Sequence, residues 1–152
     1  MANGVEKFVL RPVGRGDEAI LAQTKRLIDE VLRPALSGRA LLTVAMSEPS
    51  GGSALGGLHT RARSVGDTVV VNGGKVFNSH GPHATHCVVW ARFGAEPETI
   101  GAVVVPTDTR GFSRGATERY MSGEVHCALS FDDCEVPAEY VLLDGDGMRR
   151  MM

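Results

Sequence analysis

The amino-acid sequence predicts a mainly β domain, an antiparallel sandwich or barrel, with one amphipathic helix near the N-terminus. Two observations support this fold class. Short β-branched segments follow one another from residue 41 onward, separated by Gly, Asp and Pro turns. Helical periodicity is confined to one stretch before them. A length of 152 residues suits one domain with one hydrophobic core.

The helix is predicted to begin at Asp17, a suitable N-cap, and to run to Leu32. Pro34 and Gly38 mark its end. Its apolar residues recur at helical spacing, as seen for Ile20, Leu21, Leu27, Ile28, Val31 and Leu32. This stripe must pack on the strands or on a partner chain, so residues 1–40 are assigned to an N-terminal arm and helix.

The strands are predicted to alternate with tight turns, notably at Gly66-Asp67 and Gly73-Gly74. They define a β-barrel domain over residues 41–147, followed by a C-terminal tail at 148–152. The predicted strand ranges are 41–46, 59–65, 68–72, 75–79, 86–92, 99–106 and 128–131, the last with an extension through 136.

The composition excludes several classes of protein. With 43% hydrophobic and 22% charged residues and a net charge of −2, the chain has no electrostatic footprint for nucleic acid or an anionic membrane. The three cysteines, Cys87, Cys127 and Cys134, show no paired spacing, which favours a reducing compartment over a disulfide framework. No leader-like or membrane-spanning run is found, so a cytoplasmic location is expected.

A small-residue loop follows the first strand, at residues 44–53, which read V-A-M-S-E-P-S-G-G-S. Glycines let backbone N–H groups approach a ligand closely, and Ser47 and Ser53 add hydroxyl groups. The loop therefore suits an anion or the polar edge of a cofactor. A plain turn is the alternative interpretation.

Four ordered motifs resemble those of the middle β-barrel domain of the flavin-dependent acyl-CoA dehydrogenases. Residues 47–54 (S-E-P-S-G-G-S-A) are similar to the family's T-E-P-G-x-G-S-D, and residues 72–80 (N-G-G-K-V-F-N-S-H) to N-G-x-K-x-W-I-T-N. Residues 105–111 (V-P-T-D-T-R-G) resemble V-P-x-D-x-x-G, and residues 131–137 (F-D-D-C-E-V-P) resemble F-D-D-x-x-V-P. The resemblance covers roughly residues 32–152.

The resemblance implies a Greek-key-like barrel that supplies one wall of an FAD site. Carried over by position, the flavin-side residues are Val44, Met46, Ser47, Ser53, Phe77, Asn78 and Ser79, and Ser53 also faces the acyl-CoA. In the family, a carboxylate base in a C-terminal helical domain removes the substrate α-proton while the flavin accepts the β-hydride. By this resemblance, the 152 residues are expected to contain neither that domain nor most of the N-terminal helical domain.

Departures from the motifs alter the expected site. Phe77 replaces a tryptophan and so keeps an aromatic face without the N–H donor. Asn78 replaces an apolar residue, Ala54 an aspartate and His80 an asparagine. Ser47 and Ser79 stand where the family has threonine, so both hydroxyls are kept.

Three residues are candidates for catalysis: Glu48, Ser79 and His80. An imidazole beside Ser79 suits proton transfer near neutral pH. Glu48 is expected to fix the loop by accepting backbone N–H groups, and it would act as an acid or base only if buried without a charged partner.

Other polar clusters carry weaker hypotheses. His80, His83, His86 and Cys87 have metal-ligand chemistry, but consecutive strand residues point to opposite faces, so no metal site is predicted. The Asp132-Asp133 doublet is interpreted as a turn after a strand. Ser53 lacks the His and Asp partners of a nucleophile.

The sequence is compatible with three functions. The favoured one is a barrel reused without flavin, which folds an acyl or polyketide-like substrate for cyclisation, rearrangement or isomerisation in a biosynthetic pathway. The alternatives are an FAD-binding subunit whose partner supplies the helical domains, and a non-catalytic assembly module. Apolar surface without a helical cover predicts a homo-oligomer, most simply a homodimer.

Overall fold

The structure, a computed structural model, describes residues 25–51, 55–95 and 99–145. Its helical segment contains a π-helix at Ile28–Leu32 that leads into an α-helix, α1, at Arg33–Leu36. The N–H of Arg33 bonds the carbonyl of Ile28, and this wider turn precedes Pro34, which has no N–H to donate. The helix therefore continues through Pro34 and ends before Gly38, whose φ is 73°. The predicted start at Asp17 lies outside the described residues.

Nine strands make the described part of the chain mainly β, as predicted. Each predicted strand range overlaps an observed strand, and the ranges 68–72 and 75–79 belong to the same one. Their bounds are β1 Leu42–Ala45, β2 Arg61–Val65, β3 Thr68–Ser79, β4 His86–Arg92, β5 Ile100–Pro106, β6 Phe112–Arg114, β7 Glu118–Arg119, β8 Val125–Pro137 and β9 Val141–Leu143.

The strands form one sheet in the order β6-β8-β3-β2-β4-β5-β9, with β1 beside β4 and β7 beside β8. Two pairs, β1 with β4 and β2 with β4, are parallel, so the sheet is mixed where an antiparallel one was predicted. The described strands also leave the sheet open at β6 and β9 and do not close a barrel. Residue alternation indicates which side chains face the core but not the direction of the neighbouring strand.

The core combines apolar side chains of β3, β4, β5 and β8 with two residues of the helical segment, Leu27 and Val31. Tyr140 fixes the same segment by donating its hydroxyl to the Glu30 carboxylate, and the Arg26 guanidinium lies 5.4 Å from the Tyr140 ring centroid. The helix thus covers the sheet of its own chain. The division of the chain at residues 40 and 147 stays a prediction.

The three cysteines lie in this core as free thiols. Burial raises the pKa of the Cys87 thiol to about 12 and also raises the pKa values of Cys127 and Cys134. No helix in the described ranges combines the length and apolarity needed to cross a membrane.

The turn predicted at Gly73-Gly74 does not form, because β3 runs without interruption from Thr68 to Ser79. Its pairing with β8 instead shifts register between Val71 and Gly73. Gly73 has a φ of 143°, and a Cβ at this position would lie 2.7 Å from the Cα of Thr60. The glycine therefore permits a β-bulge and a close backbone approach.

The Asp132-Asp133 doublet is likewise inside a strand, β8, and does not form the predicted turn. Asp133 has a φ of 49° and faces the same bulge. Asn72 Nδ2 donates to Asp133 Oδ1 at 2.9 Å, and the Asp133 N–H donates to Asn72 Oδ1 at 2.9 Å. A reciprocal pair of side-chain hydrogen bonds thus closes the bulge, which neither residue reveals on its own in the sequence.

Candidate flavin-facing site

The two motif segments, residues 44–48 and the end of β3, lie side by side. The Thr43 hydroxyl donates to the Ser79 carbonyl at 2.8 Å, and the Val76 N–H donates to the Ser47 carbonyl at 2.9 Å. The contacts pair the start of one segment with the end of the other, so the two segments run in opposite directions. They therefore bring Val44 alongside the Phe77–Asn78 stretch.

A buried ion pair joins the segments from the inside. Lys75 Nζ lies 2.8 Å from Glu48 Oε1 and also donates to the Met46 carbonyl at 3.0 Å. The Glu48 carboxylate also accepts hydrogen bonds from the N–H groups of His59 at 2.6 Å and Thr60 at 2.9 Å. The ion pair and these hydrogen bonds thus fix the loop start, the segment just before β2, and β3 with respect to one another.

Glu48 has the loop-fixing role expected of it. Burial by itself raises the pKa of this carboxyl group, but the hydrogen bonds from Lys75, Thr60 and His59 outweigh it and lower the pKa to about 2. The acid–base alternative required burial without a charged partner, and Lys75 is such a partner. The hydrogen bonds of Glu48 therefore match the loop-fixing interpretation, and its catalytic assignment stays a prediction.

Two of the predicted ligand-facing residues present apolar side chains to solvent. Val44 is 59% exposed and Phe77 is 64% exposed, whereas Met46 is half-buried. Phe77 has a φ of 58°, a left-handed conformation that is rare for a bulky residue. It sits in a second bulge of β3, where the register with β8 shifts between Lys75 and Asn78. The bulge turns the ring outward.

Asn78 is placed differently from the other candidates, since it is only 1% exposed. Its Nδ2 donates to the Cys127 carbonyl at 2.9 Å, so the side chain turns into the sheet and away from the exposed face. The assignment of Asn78 as a ligand-facing residue stays a prediction, although its side chain faces the interior of the sheet. The bulge at Phe77 is the reason, because it changes which face the following residue meets.

Ser47 and Ser79 are the polar candidates of the same region. Ser79 is exposed and Ser47 is half-buried. Neither hydroxyl has a hydrogen-bond partner among the described residues, and the donors that reach these serines, the Thr43 hydroxyl and the Val76 N–H, bond their backbone carbonyls. Both hydroxyls therefore remain candidates for a ligand contact. Ser53 lies outside the described residues, although the loop before it is closed by hydrogen bonds between the Glu48 and Gly51 backbones.

His80 follows Ser79 with an exposed side chain and a φ of 59°. Its N–H donates to the Val125 carbonyl at 3.0 Å, which holds the end of β3 against β8. His86 Nδ1 lies 3.0 Å from the Thr85 hydroxyl, and burial lowers the pKa of His86 against a weaker opposing effect of Asp108. Among the described residues, no three His, Cys, Asp or Glu side chains are grouped to hold a metal ion.

His126 also lies beside the candidate residues, although no sequence motif includes it. It lies on β8 directly opposite Ser79, and its Nδ1 is 3.1 Å from the Phe77 carbonyl. No motif signals this residue, because its proximity depends on the register of two strands that are far apart in the sequence.

Comparisons with known proteins agree with this architecture. The model of the acyl-CoA dehydrogenase middle domain matches residues 43–134. The caffeyl-CoA reductase-Etf complex subunit CarC of Acetobacterium woodii is 33% identical over 129 residues, which are 82% of this chain and 34% of that protein. Cyclohex-1-ene-1-carbonyl-CoA dehydrogenase of Geobacter metallireducens is 36% identical over 132 residues, which are 83% of this chain and 35% of that protein.

Solved structures give the same result. Acyl-CoA dehydrogenase from Geobacillus kaustophilus aligns with a TM-score of 0.77 and 30% identity over 97% of this chain and 38% of that one. Butyryl-CoA dehydrogenase from Megasphaera elsdenii aligns with a TM-score of 0.75 and 29% identity over 82% of this chain and 34% of that one. The chain spans about a third of the length of the curated relatives it matches. With these matches, the paired motif segments and the β-rich fold, the chain belongs to the acyl-CoA dehydrogenase family, in which it corresponds to the middle domain.

Proposed function

We propose that this domain forms one wall of a flavin site that also receives an acyl thioester, in an acyl-CoA dehydrogenase-like oxidoreductase. One observation carries the proposal: the β3 bulge holds Phe77 in a left-handed conformation with its ring exposed beside Val44. A strained, exposed aromatic residue is costly, so it is best explained by a ligand that covers it.

The donor set fits a flavin. An isoalloxazine ring presents a flat aromatic face and a polar edge, and it needs apolar contact together with a few hydrogen-bond donors. Val44, Met46 and Phe77 would contact the face, and the hydroxyls of Ser47 and Ser79 would serve the edge. The Glu48–Lys75 pair would hold the two segments at a fixed separation.

A bound flavin would supply a hydride acceptor for the β-carbon of an acyl thioester. Removal of the α-proton needs a base, and Glu48 does not suit this role because Lys75 and two N–H groups occupy its carboxylate. We assign the base to a further helical segment or to a partner subunit. One relative is itself named as a subunit of a reductase-Etf complex, which supports a partner of this kind.

The test titrates FAD with the full chain and monitors binding by the change in flavin fluorescence. Phe77→Ala is expected to raise the Kd about tenfold, because an aromatic contact is lost. Phe77→Trp is expected to lower the Kd. Val65→Ala, a change to another exposed apolar residue (42% exposed) at the β2–β3 turn, is the control and should bind as the wild type does. Equal binding by Phe77→Ala and the wild type would contradict the proposal.

The exposed imidazole of His80, at the position where the family motif has asparagine, favours a second candidate function. Together with Ser79 it offers proton transfer without a redox cofactor. The same face would then bind an acyl or polyketide-like molecule and promote cyclisation, rearrangement or isomerisation by holding its reacting ends together.

The visible absorbance spectrum of the purified protein, with and without added FAD, distinguishes the two candidates. Flavin bands that substrate bleaches under anaerobic conditions support the oxidoreductase. A colourless protein that takes up no FAD, and that turns over an acyl substrate in a His80-dependent manner, supports the cofactor-independent reaction.

A further inference from the structure

The left-handed conformation of Phe77 requires a specific restraint. The first bulge of β3 shows how this strand is restrained: the Asn72 side chain donates to the Asp133 carboxylate and accepts from the Asp133 N–H across β3 and β8. At the second bulge, the pairing of β3 with β8 shifts by one residue next to Phe77. A side chain of β8 is therefore the natural source of a second restraint.

His126 occupies the required position. Its Nδ1 is 3.1 Å from the carbonyl oxygen of Phe77, and its side chain is 14% exposed. A carbonyl only accepts hydrogen bonds, so Nδ1 carries the hydrogen in this contact. The bond holds the peptide that follows Phe77, and this peptide sets the direction of the ring.

The imidazole itself is held by two neighbours. The ring of Tyr120 meets it edge-on with centroids 4.5 Å apart, and Nε2 lies 3.6 Å from a carboxylate oxygen of Glu124. Both neighbours belong to the β7–β8 hairpin. The hairpin thus supports an imidazole that in turn supports the exposed aromatic residue.

We propose that His126 is a positioning residue for the candidate site: it donates from Nδ1 to the Phe77 carbonyl and holds the Phe77 ring on the ligand-facing surface. The restraint of Phe77 by His126 depends only on contacts within the ligand-free protein. The consequence for ligand affinity rests on the proposed function, in which Phe77 contacts a flavin.

The first experiment is NMR of the full chain without ligand. In the wild type, long-range ¹H–¹⁵N correlations are expected to show a proton on Nδ1 of His126, and the Phe77 Cα and Cβ shifts are expected to be those of a positive φ. In His126→Ala the Phe77 shifts should move toward extended values. His126→Asn should preserve them, because its amide nitrogen can donate from nearly the same place. His83→Ala, at an exposed histidine, is the matched control.

The second experiment measures FAD binding by the same variants. His126→Ala should raise the Kd about tenfold, whereas His126→Asn should stay within about twofold of the wild type, as should His83→Ala. Phe77 shifts that stay unchanged in His126→Ala overturn the positioning role, as does an unchanged Kd. If the wild type binds no FAD, the proposed function fails, and the NMR shifts alone then confirm or overturn the positioning of Phe77.

Discussion

At the scale of single residues, the Glu48–Lys75 pair shows how an ambiguous side chain acquires a definite role. A buried carboxyl group alone would tend to stay protonated, since burial disfavours the charged form. Lys75, itself fully buried, and the N–H groups of His59 and Thr60 reverse this tendency and keep Glu48 ionised. Burial lowers the pKa of Lys75, and its partner opposes that effect. Each charge is therefore tolerated only because the other is present.

Loss of one member of this pair should be more harmful than loss of both. Lys75→Met leaves the Glu48 carboxylate buried without its partner, and we expect the free energy of unfolding to fall by about 3–5 kcal/mol. The double variant Lys75→Met with Glu48→Gln should be less destabilised. Denaturant unfolding of the full chain measures both. Equal losses of unfolding free energy in the single and double variants would show that the unpaired Glu48 charge is not the cause of the destabilisation.

The same carboxylate should make the protein sensitive to acid. The pKa of Glu48 is about 2 in the folded protein against an ordinary value of 4.5. Because the folded-state pKa is depressed, its contribution is complete above pH 4.5 and is lost as the pH falls towards about 2. Unfolding free energies measured across this window should fall more steeply for the wild type than for Glu48→Gln. Glu135→Gln, at an exposed position on β8, should follow the wild-type curve.

At the scale of elements, β3 is organised by two bulges, one at Asn72-Gly73 and one at Phe77. The first allows the strand to pass close to Thr60, and the second presents Phe77 to solvent. Both depend on β8, which supplies Asp133 to the first and His126 to the second. The long β3–β8 pair is therefore both the framework of the sheet and the device that shapes the candidate site.

The close approach at the first bulge should not tolerate a side chain. In Gly73→Ala the new Cβ would meet Thr60 Oγ1 at 2.6 Å and Thr60 Cα at 2.7 Å, at a φ of 143° that disfavours any Cβ. We expect a loss of about 1–3 kcal/mol in unfolding free energy. Gly57→Ala is the control, since nothing lies within 4 Å of its Cβ position. Thermal unfolding of the two variants makes the comparison, and matching midpoints would contradict it.

At the scale of the whole molecule, the helical segment and the open sheet share one core. Leu27 and Val31 are buried with residues of β3, β4, β5 and β8, and the Glu30–Tyr140 hydrogen bond adds a polar tie. The helix thus covers part of the sheet. The Val44–Phe77 face stays exposed, and it is the surface to which our proposal assigns a flavin.

The contribution of the helix to stability can be measured directly. Leu27→Ala removes a side chain that is 6% exposed, and we expect a loss of about 2–5 kcal/mol in unfolding free energy. Leu36→Ala, at a residue that is 73% exposed, should change stability by less than about 0.5 kcal/mol. If the two variants unfold alike, the helix does not share the core of the sheet. The homodimer stays a prediction, and light scattering tests it. A monomer in solution would contradict this prediction and would also weaken the assembly-module hypothesis.

The sequence by itself determined the β-rich class, the helix that precedes the strands and the two segments of the site, because these depend on local periodicity and on ordered motifs. It also indicated that Glu48 accepts backbone N–H groups. It failed at Gly73-Gly74 and at Asp132-Asp133, where residues typical of turns instead form bulges inside long strands. Local preference is the same for a turn and for a bulge, so only the partner strand decides between them.

The tertiary structure alone decided what each site residue meets. It paired Glu48 with Lys75, turned Asn78 inward to Cys127, and placed His126 beside Phe77. These contacts join residues that are distant in the chain, and they depend on strand register. A register shift of one residue would turn each side chain of the strand to the opposite face of the sheet. Register is set by the packing of the entire sheet, and no local segment of the sequence contains it.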